Sequence, residues 1–395
     1  MLVVERRGTP LRFPMKTLAL LTLVALASTT SLGCGADSSA PASAQPAPAA
    51  VPASQLGDGT PESVNLTEVI GPTAGLSVPR DLAFNPLRPN ELWIVNFGDD
   101  STVIVTNVLA DTPVSERRKD AAANHFMAKP SSIAFGEDET TMGVPGTFAT
   151  CQESRNTYDE KEKPNDFMGP TLWSSDLSIF ARKDPNGLGS HLDMLHNSPL
   201  CVGIAHESAN VYWTFSGRTN SVVKYDFGKD DGIGHDDHSD GDSWRYGLGA
   251  FKYEPGVPGH LVFDPADSML YIADTGNGRL AKLDTKSGAM GRKLATKEPN
   301  DLFAEMTDAS ITDVVAGGGE LQKPSGLELQ DGYLFVSDNA TSKITAFSKS
   351  GERVNQLDTR LPPGSLAGMS FGPDGKLYLV DMIGNRVLRV DVKPR

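Results

Sequence analysis

The stretch LYIADTGNGRLAKLD, residues 270–284, decides the fold. It contains a strand of five residues (270–274), a polar turn, and a second strand (278–284) in which apolar and polar side chains alternate. Alternation with a period of two, bounded by Gly, Asn and Asp, is typical of antiparallel strands joined in a hairpin. The stretch therefore predicts a β-hairpin.

The same pattern occurs four more times without gaps. The further copies are LWIVN (92–96) with STVIVTN (101–107), YWTFS (212–216) with NSVVKYD (220–226), LFVSD (334–338) with SKITAFS (342–348), and LYLVD (377–381) with NRVLRVD (385–391). A short apolar strand precedes each pair. A sixth copy, interrupted by an insertion, is expected from PSSIAF (130–135), TFATC (147–151) and SSDLSIFA (174–181).

Repeats of about 40–70 residues with three or four strands each are typical of β-propeller blades. Six copies therefore predict an all-β, six-bladed propeller. The last copy ends at its third strand, whereas the run VNLTEVI (64–70) precedes the first copy. We expect this amino-terminal run to supply the fourth strand of blade six, because closing the ring in this way removes an exposed sheet edge.

Two turns carry a resemblance to a known family. DTGNGR (274–279) in blade four and DMIGNR (381–386) in blade six, each after an inner strand led by Pro or Gly, resemble NHL-type propeller repeats. The resemblance covers about residues 64–392 and implies the fold. It leaves the function open, since NHL-type propellers include lyases, ligand-binding proteins and interaction scaffolds.

The amino-terminal segment predicts export. An apolar run, TLALLTLVALA (17–27), follows several basic residues. At about 11 residues it is shorter than the roughly 20 that span a bilayer, and it has the layout of a secretory signal. The sequence SLGCG (31–35) then resembles a bacterial lipoprotein box, in which Cys34 would carry the lipid. The alternative is simple secretion with Cys34 removed.

These features divide the chain into three parts. We expect a signal peptide with a lipobox-like end at 1–34, starting from Met1 or Met15, an Ala/Pro/Ser-rich tether at 35–60, and the propeller at 61–395. A tether of this composition cannot bury a core. The expected location is the cell envelope, as an outer-membrane lipoprotein, with a periplasmic or secreted protein as the alternative. The membrane would be contacted through the lipid anchor only.

The charge composition limits the classes of molecule that the protein can be expected to bind. The 395 residues include 36 Lys and Arg against 50 Asp and Glu, which gives a net charge of −14. An acidic balance argues against nucleic acid, whose phosphates attract basic surfaces. We expect a monomer whose partner is a small molecule, a peptide or a glycan.

Two cysteines remain if Cys34 is lipidated. Cys151 ends a second strand in blade two, and Cys201 begins the inner strand of blade three. Both positions fall on the face that holds inner-strand starts and second-strand ends, which we call the top. An even pair in an oxidising compartment predicts a Cys151–Cys201 disulfide, with two buried thiols as the alternative.

Candidate site residues gather on the same face. Three histidines near inner-strand starts could hold zinc with an open position: His125, His196 and His260. Peptidylglycine amidating lyases are similar in fold and use three histidines near the channel mouth, but their spacing from proline does not match this sequence. The candidate binding residues at the channel mouth and in the insertion at 152–170 are Arg80, Asp81, Glu153, Arg155, Tyr158 and His260.

The most acidic stretch, DDGIGHDDHSDGD at 230–242, offers a second metal site. Asp236, His238 and Asp240 partly match calcium loops built from oxygen ligands, which makes calcium or another divalent ion a candidate ligand there. The alternative is a polar surface loop. Because the stretch follows the third strand of blade three, we expect it on the face opposite the insertion.

The sequence thus favours an extracytoplasmic, lipid-anchored binding module that presents its top face to a ligand. The alternative is a metal-dependent lyase or hydrolase with its site at the top of the central channel. A binding module predicts no metal and no loss of function when the three histidines are replaced by alanine, and an enzyme predicts the reverse.

Overall fold

The computed structural model describes residues 53–136, 143–158, 160–296, 298 and 302–394. This part of the chain forms six β-sheets, each a blade of a propeller. The inner strands of the six blades contact one another in a closed ring. The predicted all-β, six-bladed propeller is confirmed. No helix in the described segments is long and apolar enough to cross a bilayer.

The strands follow the predicted repeats closely. Strand β1 is Val64–Ile70. Blade one contains β2 (Pro79–Phe84), β3 (Leu92–Asn96), β4 (Ser101–Thr106) and β5 (Val114–Arg118). The short helix α1 (Ala123–Phe126) precedes blade two, which contains β6 (Pro130–Phe135), β7 (Thr147–Gln152), β8 (Thr171–Ser174) and β9 (His191–Met194). Blade three contains β10 (Cys201–Ser208), β11 (Val211–Ser216), β12 (Ser221–Asp226) and β13 (Asp242–Tyr246).

The other three blades complete the ring. Blade four contains β14 (Leu261–Asp264), β15 (Met269–Asp274), β16 (Arg279–Asp284) and, after the antiparallel pair β17 (Ala289–Lys293) and β18 (Leu302–Thr307), β19 (Ile311–Val315). Blade five contains β20 (Pro324–Gln330), β21 (Tyr333–Asp338), β22 (Lys343–Ser348) and β23 (Arg353–Asp358). Blade six contains β24 (Leu366–Phe371), β25 (Leu377–Asp381) and β26 (Arg386–Val392). Single 3₁₀ turns lie at Ser54–Leu56, Pro61–Ser63, Pro72–Ala74 and Thr275–Asn277.

The amino-terminal strand closes the ring as predicted. β1 pairs antiparallel with β26, so that Val64 lies opposite Val392 and Leu66 opposite Val390. The two ends of the described chain thus share one sheet, and the outer edge of β26 is covered.

Aromatic residues fill the spaces between blades. The aromatic residue at the second position of each repeated hairpin is at most 1% exposed: Trp93, Trp213, Tyr271, Phe335 and Tyr378. Burial of aromatic side chains of this size is the main favourable contribution to packing one blade on the next.

Blade two departs from the prediction in its third strand. The strand is β8, not residues 174–181. Asp176 starts a turn instead, because its side chain accepts a hydrogen bond from the Ser178 amide (2.7 Å) and its carbonyl accepts one from the Phe180 amide (2.9 Å). An Asp that bonds the backbone two residues ahead favours a turn over an extended strand.

Blade three is wider than the repeat predicts. β18, which lies between the third and fourth strands of blade four, pairs in parallel with β13 and extends the sheet of blade three to six strands. The outer edge of β13 is thereby covered.

The predicted disulfide is confirmed. Cys151 in β7 and Cys201 at the start of β10 are bonded, with their Cα atoms 5.2 Å apart. The bond links blades two and three, and it suggests an extracytoplasmic location, where disulfides persist.

The folded domain begins earlier than the predicted boundary at residue 61. Ala53 and Leu56 are 5% and 0% exposed and pack in an apolar cluster with Phe335, Leu357 and Leu366. Residues 53–60 therefore belong to the propeller and not to the tether, because the side chain of Leu56 packs against blade five. The predicted signal peptide, Cys34 and the tether up to residue 52 lie outside the described residues.

Replacing Leu56 by Ala tests this boundary. We expect Leu56→Ala to lower the free energy of unfolding by about 2–5 kcal/mol, because it removes buried methyl groups and leaves a cavity. Urea unfolding followed by tryptophan fluorescence measures the loss. The neighbouring exposed residue supplies the control, since Ser54→Ala should change stability by less than about 0.5 kcal/mol. Equal stability of the Leu56→Ala and Ser54→Ala variants would indicate that residues 53–60 are part of the tether and not of the folded domain.

Candidate functional site

A pocket lies at the outer margin of blade two, next to blade three. Its volume is about 310 Å³. The residues that line it are His125, Phe126, Tyr158, Phe167, Leu188, His196, Asp236, His238 and Glu298. Five of these were predicted as site residues from the sequence, but in three separate groups.

Five segments build this margin pocket. Helix α1 supplies His125 and Phe126, and the insertion after β7 supplies Tyr158 and Phe167. Leu188 and His196 flank β9, the outer strand of blade two. The acidic segment between β12 and β13 supplies Asp236 and His238, and Glu298 lies between β17 and β18.

The sequence predicted that the acidic segment lies on the face opposite the insertion. In the structure the segment does not stay on that face. It leaves β12 on that face but then runs along the outer edge of β9. The Asp231 amide donates to the Leu192 carbonyl (3.1 Å), and the Gly234 amide donates to the His191 carbonyl (2.8 Å). The backbone of an edge strand needs hydrogen-bond partners, and the acidic segment provides them. This path carries His238 to the insertion.

Two histidines face each other at the pocket wall. Nε2 of His125 lies 3.4 Å from Nε2 of His196, and Nδ1 of His196 lies 2.8 Å from Oε1 of Glu298. The ring of Phe167 stacks on that of His196, with 3.5 Å between centroids and 7° between planes. Both histidines are buried, at 7% and 6% exposed.

The environment keeps His196 neutral. Burial lowers the pKa of His196 to about 4, although Glu298 opposes the shift. The contact with His196 in turn lowers the pKa of Glu298, so this carboxylate is ionised at neutral pH. An ionised carboxylate can only accept a hydrogen bond, so a proton on Nδ1 of His196 would face Glu298, while Nε2 faces His125.

His238 lies between two carboxylates. Its Nδ1 atom is 3.0 Å from Oδ1 of Asp193 and 3.1 Å from Oδ2 of Asp231. Burial alone would lower the pKa of His238, but hydrogen bonds to Asp193 and Asp231 outweigh it and raise the pKa above its ordinary value. Burial raises the pKa of Asp193, whose side chain is 0% exposed. Across the described ranges, these three residues are the group of His, Cys, Asp and Glu whose potential ligand atoms all lie within 4.8 Å.

The channel-mouth residues predicted to bind ligand are buried instead. Arg80 is 5% exposed and Glu153 is 7% exposed. Oε1 of Glu153 accepts hydrogen bonds from the Tyr253 hydroxyl (2.6 Å) and the Gly256 amide (2.7 Å), while the Arg80 guanidinium donates to the Gly256 carbonyl. The segment at 252–257 is therefore held over blades one and two, and these side chains fasten it.

Asp81 and His260 also serve to join blades. Oδ2 of Asp81 accepts a hydrogen bond from the Ile133 amide of blade two (2.9 Å) and lies 3.3 Å from Nδ1 of His260 in blade four. Their exposures are 4% and 5%. The predicted zinc set of His125, His196 and His260 is not brought together, because His260 is engaged by Asp81 while the other two line the margin pocket.

The remaining predicted residues divide between the pocket and the surface. Arg155 forms an ion pair with Asp166 (2.6 Å) that is exposed on both sides and is not directed into the pocket. The predicted metal set of Asp236, His238 and Asp240 is not assembled either. His238 turns to Asp193 and Asp231, Asp236 lines the pocket, and Asp240 is exposed.

Sequence reasoning missed Phe126, Phe167, Leu188, Asp193, Asp231 and Glu298. One signal was available for Asp193: a charged residue in the middle of the apolar stretch HLDML (191–195) is either a break in the strand or a buried polar site. The others depend on contacts between distant segments.

Comparisons with known proteins give similar structures at low sequence identity. No family model matches the chain, and no curated protein matches it. Among solved structures, an auxiliary nutrient binding protein from Bacteroides thetaiotaomicron is similar at 13% identity and a TM-score of 0.49, over 80% of this chain and 69% of that chain. Virginiamycin B lyase from Staphylococcus aureus is similar at 12% identity and a TM-score of 0.48, over 84% of this chain and 100% of that chain.

The protonation of His196 can be measured directly. A His whose pKa is about 4 in the folded state and about 6.5 in the unfolded state binds fewer protons when folded. Its contribution to stability is therefore complete above about pH 6.5, is lost as the pH falls, and levels off near pH 4. We expect ¹H–¹⁵N spectra to show a neutral His196 ring at pH 5.5, with its signal assigned from its loss in His196→Gln. A ring that is half protonated at pH 6 or above would contradict the burial argument.

Proposed function

We propose that this protein is an exported binding module whose ligand site is the margin pocket, and that the ligand is a small organic amine. One observation carries the proposal: the pocket combines three aromatic rings with two carboxylates. The rings are those of Phe126, Tyr158 and Phe167, and the carboxylates are those of Asp236 and Glu298.

The chemistry of these groups favours a cation. Aromatic faces attract ammonium groups through the ring quadrupole, and they do so most strongly where water is excluded. Glu298 is ionised, and Asp236 is exposed at the rim. The neutral ring of His196 adds a hydrogen-bonding edge without positive charge. An amine with a flat apolar part would use both features of the pocket.

Tyr158 is suited to contact the ligand. Its side chain is 57% exposed although it belongs to a large ring, and the ring centroid lies 5.7 Å from that of His125. Exposed aromatic residues on loops of a rigid scaffold are frequent ligand contacts.

The sequence supports export and anchoring. We propose that the chain is an NHL-type propeller tethered to the outer membrane through a lipid on Cys34, and that it acts as a monomer. The disulfide between Cys151 and Cys201 agrees with an oxidising compartment. The tether would then hold the margin pocket away from the membrane surface.

No observation favours the alternative of a metal-dependent lyase or hydrolase at the top of the channel. The three histidines on which it depends are divided between two places, and Arg80 and Glu153 hold the segment at 252–257 over the top.

A matched pair of small molecules tests the amine proposal. Tyramine and 4-hydroxyphenylacetate share a phenol ring and differ in the charge of the side chain. We expect saturation-transfer NMR to show binding of tyramine at millimolar or lower concentration, and binding of 4-hydroxyphenylacetate to be at least tenfold weaker, because the rim is acidic. Binding of both compounds with equal affinity would contradict the proposed preference for amines.

The position of the site is tested by Tyr158→Ala. We expect this variant to weaken tyramine binding at least fivefold, since the contact of a ligand ring or ammonium group with an aromatic side chain contributes on the order of 1 kcal/mol to the binding free energy. Leu248→Ala is the control, because Leu248 is similarly exposed (53%) and lies outside the pocket. An unchanged affinity in Tyr158→Ala would place the ligand elsewhere.

A further inference from the structure

We propose that Asp193, Asp231 and His238 bind a zinc ion that fastens the acidic segment to the outer strand of blade two. The three side chains come from β9 and from two positions in the acidic segment, and their potential ligand atoms all lie within 4.8 Å. This site differs from both metal sets that the sequence suggested, and it does not rest on the amine proposal.

The distances suit a metal ion of this size. In a tetrahedral zinc site with bonds of about 2.0–2.2 Å, two ligand atoms are separated by about 3.4 Å. Nδ1 of His238 lies 3.0 Å and 3.1 Å from the two carboxylate oxygens, so shifts of a few tenths of an ångström would accommodate the ion. Neutral imidazole binds metal ions through Nδ1 as well as through Nε2.

A second observation points to a missing partner. Oδ2 of Asp193 is fully buried and has no hydrogen-bond partner among the described residues, although buried carboxylate oxygens are normally paired. Its sister atom Oδ1 contacts His238. A cation bound by this carboxylate would satisfy the unpaired oxygen, either directly or as a second, longer bond.

The charges balance with a dication. Two carboxylates and a neutral imidazole carry −2, and Asp193 is 0% exposed while Asp231 is 13% exposed. Zinc binding releases the proton from Nδ1 of His238, and Zn²⁺ then brings the sum to zero. Without the ion, a protonated His238 between two ionised carboxylates leaves −1 in a buried place. Uncompensated buried charge is costly, and Asp236, Asp237 and Asp240 in the same segment add to the negative potential.

The donor set favours zinc over calcium. Calcium takes six to eight oxygen ligands, whereas the three side chains supply one nitrogen and two to four oxygens. Zinc binds imidazole nitrogen and carboxylate oxygen in the same site, and four ligands are enough for it. The ion would hold Asp231 and His238 of the acidic segment against Asp193 of β9, which would fix one wall of the margin pocket.

The experiment measures zinc in the purified mature protein after chelation and dialysis. We expect isothermal titration with ZnCl₂ to give one site per chain with a micromolar or lower Kd. At a free zinc concentration 100 times Kd, the melting temperature should rise by roughly 4 °C. One millimolar CaCl₂ should neither bind at this site nor displace the zinc. The absence of stoichiometric zinc binding, or displacement by calcium, would overturn the proposal.

Variants locate the ion. Asp231→Asn removes a ligand that is partly exposed, so the fold should survive, and His238→Gln removes the nitrogen. Both should weaken zinc binding at least 30-fold and abolish the rise in melting temperature. Asp240→Asn, in the same segment but outside the cluster, is the matched control and should bind zinc like the original protein. The assignment would be overturned if Asp231→Asn and His238→Gln retained zinc. It would also be overturned if His125→Ala or Asp240→Asn lost zinc while Asp231→Asn still bound it.

Discussion

The need to cover the outer edges of blades shapes both the fold and the pocket. An outer strand leaves one row of backbone N–H and C=O groups without partners unless another segment pairs with it. The outer strand of blade two is covered by the acidic segment, and that of blade three by β18. The margin pocket lies where these two coverings meet, since His238 belongs to the acidic segment and Glu298 lies four residues before β18.

The described contacts at the centre of the propeller differ from those at the margin. At the centre, Asp81, Arg80 and Glu153 are used to connect blades and to hold the segment at 252–257. Their charges are therefore engaged in fixed contacts. At the margin, by contrast, Tyr158 is largely exposed and Asp236 remains at the rim, so the groups that can contact a ligand are accessible.

Much of the fold could be predicted from the sequence, because the hairpin at 270–284 and its copies have a strong local period. The disulfide was also predictable, since register placed Cys151 and Cys201 on one face. The pocket was not. His125 and His196 are 71 residues apart, and Asp193 and His238 are 45 apart. The second of these contacts depends on the path of the acidic segment along β9. The blade topology determines where the acidic segment begins, whereas its backbone hydrogen bonds to β9 determine the path that it follows.

Hydrogen exchange at single amides tests this account most directly. If the acidic segment is paired with β9, the amides of Asp231 and Gly234 should exchange as slowly as amides within the outer strand of blade two, because each donates to a β9 carbonyl. Protection of both amides by at least about a hundredfold over the unstructured rate is the expected result. Exchange of both at the unprotected rate would show that the acidic segment is free of β9, and the margin pocket as described would not exist.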